Sequence, residues 1–223
     1  MIEANEIFSD FDNRIALWCE AIGDTTDLAN LANYILENKI QMISVSPDIV
    51  GFMWTCLEKY NVKILTRYNF APVHQNIDKD IDSLAKNIIS MWTHGANGVQ
   101  IFMGLQNFYK FTEILLPVRD DLFFEHDLCI GLDINNIGVY DWDCLFEKLR
   151  SIRAHALVLT LSEDMGNRSD FVGRVYGMLQ KWNFDGQLHF MLSNDYERID
   201  QVIRLIESEK PELSERVRFF LEY

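Results

Sequence analysis

Eight short apolar, β-branched runs recur at roughly 22 to 35 residue intervals, at 14–20, 41–46, 63–70, 98–103, 128–135, 156–162, 187–194 and 216–221. Each run but the last is followed by a segment whose apolar residues return at three- and four-residue spacing, the signature of a helix packed on one face. Strand and helix therefore alternate along the chain, and the sequence stops at the eighth run. This pattern predicts a TIM-type (β/α) barrel of eight parallel strands with the final helix missing, spanning residues 1–223 as one domain. An open doubly wound sheet is the competing arrangement, but its central strands read apolar at nearly every position. Here the strands alternate. In 41–46, Met42, Ser44 and Ser46 oppose Ile43 and Val45, and in 187–193, Gln187, His189, Met191 and Ser193 oppose Leu188, Phe190 and Leu192.

Local signals set the element ends. Gly95 reads as a left-handed cap closing the third helix, and Ser46-Pro47 as a capping hydroxyl with proline at the first helical position. Asp141 caps the helix that carries Trp142, Leu145, Phe146 and Leu149, while Asn194 with Glu197 forms a capping box before Ile199, Val202, Ile203 and Ile206. Pro117 ends or kinks the helical stretch 107–124.

Charge narrows the function classes. The net charge is -14 with no Lys/Arg-rich stretch, so long-range steering repels nucleic acid and anionic membrane surfaces. No apolar run is long enough to span a bilayer, and residues 1–6 lack a basic or apolar leader, which gives a cytoplasmic expectation. Cys19, Cys56, Cys129 and Cys144 form no CxxC and fall within predicted elements, where a thiol acts as a small buried hydrophobe. A missing final helix would leave apolar surface between the seventh and first helices. The segment 1–11, with Ile7, Phe8 and Phe11, is expected to cover it, or a second copy in a homo-oligomer.

Barrels of this type place their chemistry at the carboxyl ends of the strands. With the mixed face inward, the mouth receives Glu20, Ser44 and Ser46, Arg67 and Asn69, Gln100, Asp133 and Asn135, Thr160 and Ser162, His189 and Ser193, and Glu222. His189 is the expected proton carrier, with Asp133 and Glu20 orienting it. Arg67, Asn69, Gln100, Asn135, Ser162, Ser193 and Glu222 are the expected contacts to a small polar molecule. Asp133, Glu20, Glu222 and His189 also have the donor types of a divalent cation site. Pairing of those acids with Arg67 explains them as a closed polar network instead, so no metal and no cofactor is expected.

The stretches Ile43-Ser44-Val45-Ser46-Pro47, Val62 through Phe70, and Gly95-Ala96-Asn97-Gly98-Val99-Gln100-Ile101-Phe102 resemble strands two to four of the deoxyribose-phosphate aldolase family, a class I aldolase barrel, in order and spacing. The resemblance covers about half the chain. It implies a Schiff-base lysine on strand six, a second lysine on strand seven and a proton-moving aspartate on strand four. The matching positions hold Leu159, His189 and Gln100. Two readings follow: an enzyme that acts on a small polar metabolite without a Schiff base, or a catalytically silent barrel kept for binding or assembly. Phosphate is disfavoured as a ligand, because Ser193-Asn194-Asp195-Tyr196 offers no glycine-rich cradle.

Overall fold

The computed structural model describes residues 14–19, 24–70, 77–161 and 168–223, with the side chains at 77–81 and 168–169 excepted. Its strands are β1 (Ile15–Cys19), β2 (Met42–Val45), β3 (Lys63–Asn69), β4 (Gly98–Phe102), β5 (Asp127–Asp133), β6 (Ala156–Thr160), β7 (Gln187–Met191) and β8 (Val217–Glu222). All pair in parallel, each with the next in sequence, and β8 pairs with β1 to close the ring. Closure excludes the open sheet. The helices are α1 (Thr25–Glu37), α2 (Val50–Leu57), α3 (Ile77–Thr93), α4 (Leu105–Leu115), α5 (Arg119–Phe123), α6 (Trp142–Ser151), α7 (Arg168–Lys181) and α8 (Tyr196–Glu209). None is long and apolar enough to cross a membrane.

Two apolar layers follow from the strand alternation. Outward residues such as Ile43, Val99, Ile130, Leu159, Phe190 and Phe219 are buried against the helix stripes, which hold Leu31, Met53, Ile88, Phe111, Leu145 and Val202. Inward residues make a smaller second core of Ala16, Met42, Leu65, Cys129, Ala156, Val158 and Phe220, with Trp18, Phe102 and Met191 packed on it.

The register stacks these inward residues in layers. In a barrel, side chains at one height come from alternate strands. The pairings Ser44 with Leu65, Gln100 with Cys129 and Val158 with His189 place Ser44, Gln100, Val158 and Phe220 in one layer. Below it lie Ala16, Leu65, Cys129 and His189, and below those Met42, Gly98, Ala156 and Arg218. Above it, towards the carboxyl ends, come Trp18, Arg67, Gly131 and Met191, then Phe102, Thr160 and Glu222.

Several local expectations change. Gly95 does take the left-handed conformation, with φ 96°, and Pro117 does separate α4 from α5. Ser46 precedes the 3-10 turn Pro47–Ile49 but makes no capping bond, and its hydroxyl has no protein partner. Asp141 sits at the start of α6, yet its carboxylate accepts from Gly138 N at 2.8 Å and not from the helix. Asp195, not Asn194, caps α8 by accepting from Arg198 N at 3.1 Å, while Asn194 donates to the Glu222 carbonyl at 3.2 Å. Leu159 belongs to the outer core, so the inward residues of β6 are Ala156, Val158 and Thr160. Beside β8, the Tyr223 ring lies 5.3 Å from that of Tyr34 on α1. Residues 1–11, Glu20 and Ser162 lie outside the described residues.

Candidate site at the carboxyl-terminal mouth

A pocket of about 560 Å³ opens at the carboxyl ends of the strands. Trp18, Phe102 and Met191 give it an apolar floor, and Asn69, Thr160 and Ser193 give it amide and hydroxyl groups. Arg67 is its cation. The β3 register brings Arg67 level with Trp18, and the guanidinium lies over the indole at 4.9 Å from the ring centroid while Nη2 donates to the Cys19 carbonyl. Stacking on an aromatic face holds a planar cation in one orientation. Two polar atoms buried in this wall, Trp18 Nε1 and Ser46 Oγ, have no protein partner. Ser193 sits at φ 53°, a left-handed conformation uncommon for a side-chain-bearing residue, at the rim.

The remaining candidates do other things. Gln100 is fully buried one layer beneath the pocket, where its Oε1 accepts from Ser44 Oγ at 2.6 Å. Asp133 accepts from Asn135 N at 2.9 Å and Asn136 Nδ2 at 3.2 Å, capping the 3-10 turn Ile134–Asn136. Asn135 lies in that turn, and Glu222 ends β8 with an exposed side chain.

His189 is two layers below Arg67, with its Nε2 donating to Gln187 Oε1 at 2.9 Å and its ring 5.3 Å from that of Phe220. Burial, reinforced by Arg218, His155 and Lys63, pulls its pKa down to about 3, so the ring is neutral at physiological pH. It has no hydrogen bond to Asp133. The expected catalytic pair is therefore not assembled, because the layer of Ser44, Gln100, Val158 and Phe220 intervenes between His189 and the mouth. Among the described residues, no three of His, Cys, Asp and Glu gather where they could hold a metal ion.

Sequence reasoning missed two groups. Phe102 and Met191, which complete the pocket floor beside Trp18, are one, and their signal was the inward parity of β4 and β7. At the opposite end of the barrel, Asp127 bonds both Lys63 and His155, the latter at 3.0 Å. Inward parity at the strand starts would have shown it.

No protein-family model matches the chain, and no curated protein matches it in sequence. Solved structures do. The deoxyribose phosphate aldolase from Aeropyrum pernix, described as tetrameric, superimposes with a TM-score of 0.65 at 12% identity, covering 98% of this chain and 93% of that one. The fold is that of the aldolase-type TIM barrels. An aldolase named QR15 matches at a TM-score of 0.63 and 12% identity, over 99% of this chain and 92% of that one. The N-acetylmannosamine-6-phosphate 2-epimerase from Clostridium perfringens shares the aldolase-type barrel at 0.58 and 9%, over 100% and 91%. Inward positions on β6 of this aldolase-type barrel hold no lysine, and neither does the mouth lining among the described residues.

Proposed function

We propose that this aldolase-type barrel binds a small polar molecule at its carboxyl-terminal mouth and performs no Schiff-base chemistry. One observation carries the reading. The pocket presents a guanidinium, hydroxyls, an amide and aromatic surface, yet its described lining includes no lysine, histidine, cysteine or carboxylate. Recognition needs the first set, whereas proton transfer and the activation of a serine or threonine nucleophile draw on members of the second. The orphan donors Trp18 Nε1 and Ser46 Oγ add capacity to bind, since buried polar atoms ordinarily find partners. An enzyme built on His189, Asp133 and Glu20 is less well supported, because His189 is sealed below the mouth and Asp133 is spent on a turn.

The test is a titration of protein carrying ¹³C-methyl methionine with polyols, sugars, hydroxy acids and sugar phosphates, read at Met191. A binder should shift that methyl saturably and raise the unfolding temperature. At 100 times its dissociation constant it adds about 2.7 kcal/mol, or roughly 5 to 10 °C for a chain of this size. Arg67→Met should weaken the response. Silence of Met191 across the panel would overturn the binding reading. A mass increase after borohydride reduction with an aldehyde would overturn the exclusion of a Schiff base.

A further inference from the structure

The amino-terminal end of the barrel is also hollow. A cavity of about 450 Å³ lies there, reaching Met42, Lys63, Asn97, Gln187 and Arg218. Arg218 is anchored in an unusual way for a half-buried cation. Its Nη1 donates to the Glu215 carbonyl at 2.9 Å and the Val217 carbonyl at 2.7 Å, and among the described residues no carboxylate pairs with it. Both Nη1 hydrogens are thereby used, and the edge formed by Nε and Nη2 has no partner among the described residues. That edge is the fork that receives both oxygens of a carboxylate.

The surrounding groups are arranged as donors. Gln187 Oε1 is occupied by His189 Nε2 at 2.9 Å, which leaves the Gln187 amide nitrogen to face the cavity it lines. Asn97 Oδ1 accepts from Ile64 N at 2.7 Å, which leaves its amide nitrogen in the same way. Asp127 pairs with Lys63 and His155 and makes no ion pair with Arg218. Trp54 and Leu57 supply apolar wall for a carbon skeleton. Glu58, exposed at the edge, together with the net charge of -14, opposes a dianionic phosphate. We propose that this cavity is a second ligand site, in which the Arg218 fork binds the carboxylate of a small monocarboxylic acid.

Two methionines separate this site from the mouth, since Met42 lines the lower cavity and Met191 the upper pocket. Full-length protein labelled at methionine methyls is titrated with propionate and, separately, with inorganic phosphate, up to about 50 mM, which reaches millimolar affinities. Propionate should shift Met42 saturably and leave Met191 in place. Arg218→Lys keeps the charge and loses the fork, so binding should weaken about tenfold or more. Gln187→Glu retains an acceptor for His189 and sets a carboxylate beside the fork, so it should abolish binding, and it serves if the arginine variant does not fold. The proposal fails if Met42 does not respond to propionate, if phosphate shifts it in propionate's place, or if both variants titrate like the parent. None of these results bears on Met191, which reports the mouth alone.

Discussion

A single buried ring illustrates how position outweighs residue type. His189 was attractive as a proton carrier because an imidazole ordinarily titrates near 6.5. Held among Phe220, Cys129 and Leu65 with cations beneath it, the ring resists protonation until about pH 3. The unfolded chain takes up that proton near its ordinary pKa while the folded chain does not, so His189 costs stability progressively as pH falls below about 6.5. His126 and His155, also lowered chiefly by burial, act in the same direction. Urea unfolding between pH 7 and pH 4.5 should accordingly show a smaller loss of stability for His189→Gln than for the parent. Equal pH slopes would mean that the ring is solvated.

At the level of elements, helix starts show how short polar signals are redistributed once neighbouring strands are in place. The Asn194 and Glu197 spacing reads as a capping box, yet Asn194 turns to the end of β8 and Asp195 takes over the cap of α8. Asp195 also approaches Arg198 Nε at 3.6 Å. Asp195→Ala should therefore cost about 1 to 2 kcal/mol in chemical denaturation, and Asn194→Ala clearly less. The reverse order would restore the capping box. Asp24, by contrast, caps α1 from the residue just before it, accepting from Thr26 N at 2.8 Å and Asp27 N at 3.0 Å. Its partners are local in sequence, so tertiary contacts have little to rearrange.

Across the whole molecule, the inward layers govern both stability and the shape of the mouth. Gly131 occupies a place where any side chain would meet the Phe102 ring, and that ring forms part of the pocket floor. The ring cannot retreat far, because Trp18, Arg67 and Met191 fill the rest of the layer below it around Gly131. Gly131→Ala should destabilise the barrel by about 1 to 3 kcal/mol, as overpacking does. It should also displace the Met191 methyl resonance while the far end stays unchanged. An unaltered thermal midpoint would show that Phe102 has room to move.

The sequence by itself determined the element order, the closed eight-strand class and the inward parity, since a two-residue period on strands and a 3.6-residue period on helices record which face each residue buries. Arg67, Asn69 and Ser193 reach the mouth on that ground alone. Depth along the barrel was decided only by the tertiary structure. His189 and Arg67 share the same inward parity, but the stagger of neighbouring strands seals one in the core and opens the other to the pocket. Stagger arises from how all eight strands close on one another, a property of the ring and not of any one segment. The same closure brings Lys63, Asp127 and Arg218 to one end from three strands distant in the chain; inward parity marks each of them, and only the closed ring makes them neighbours.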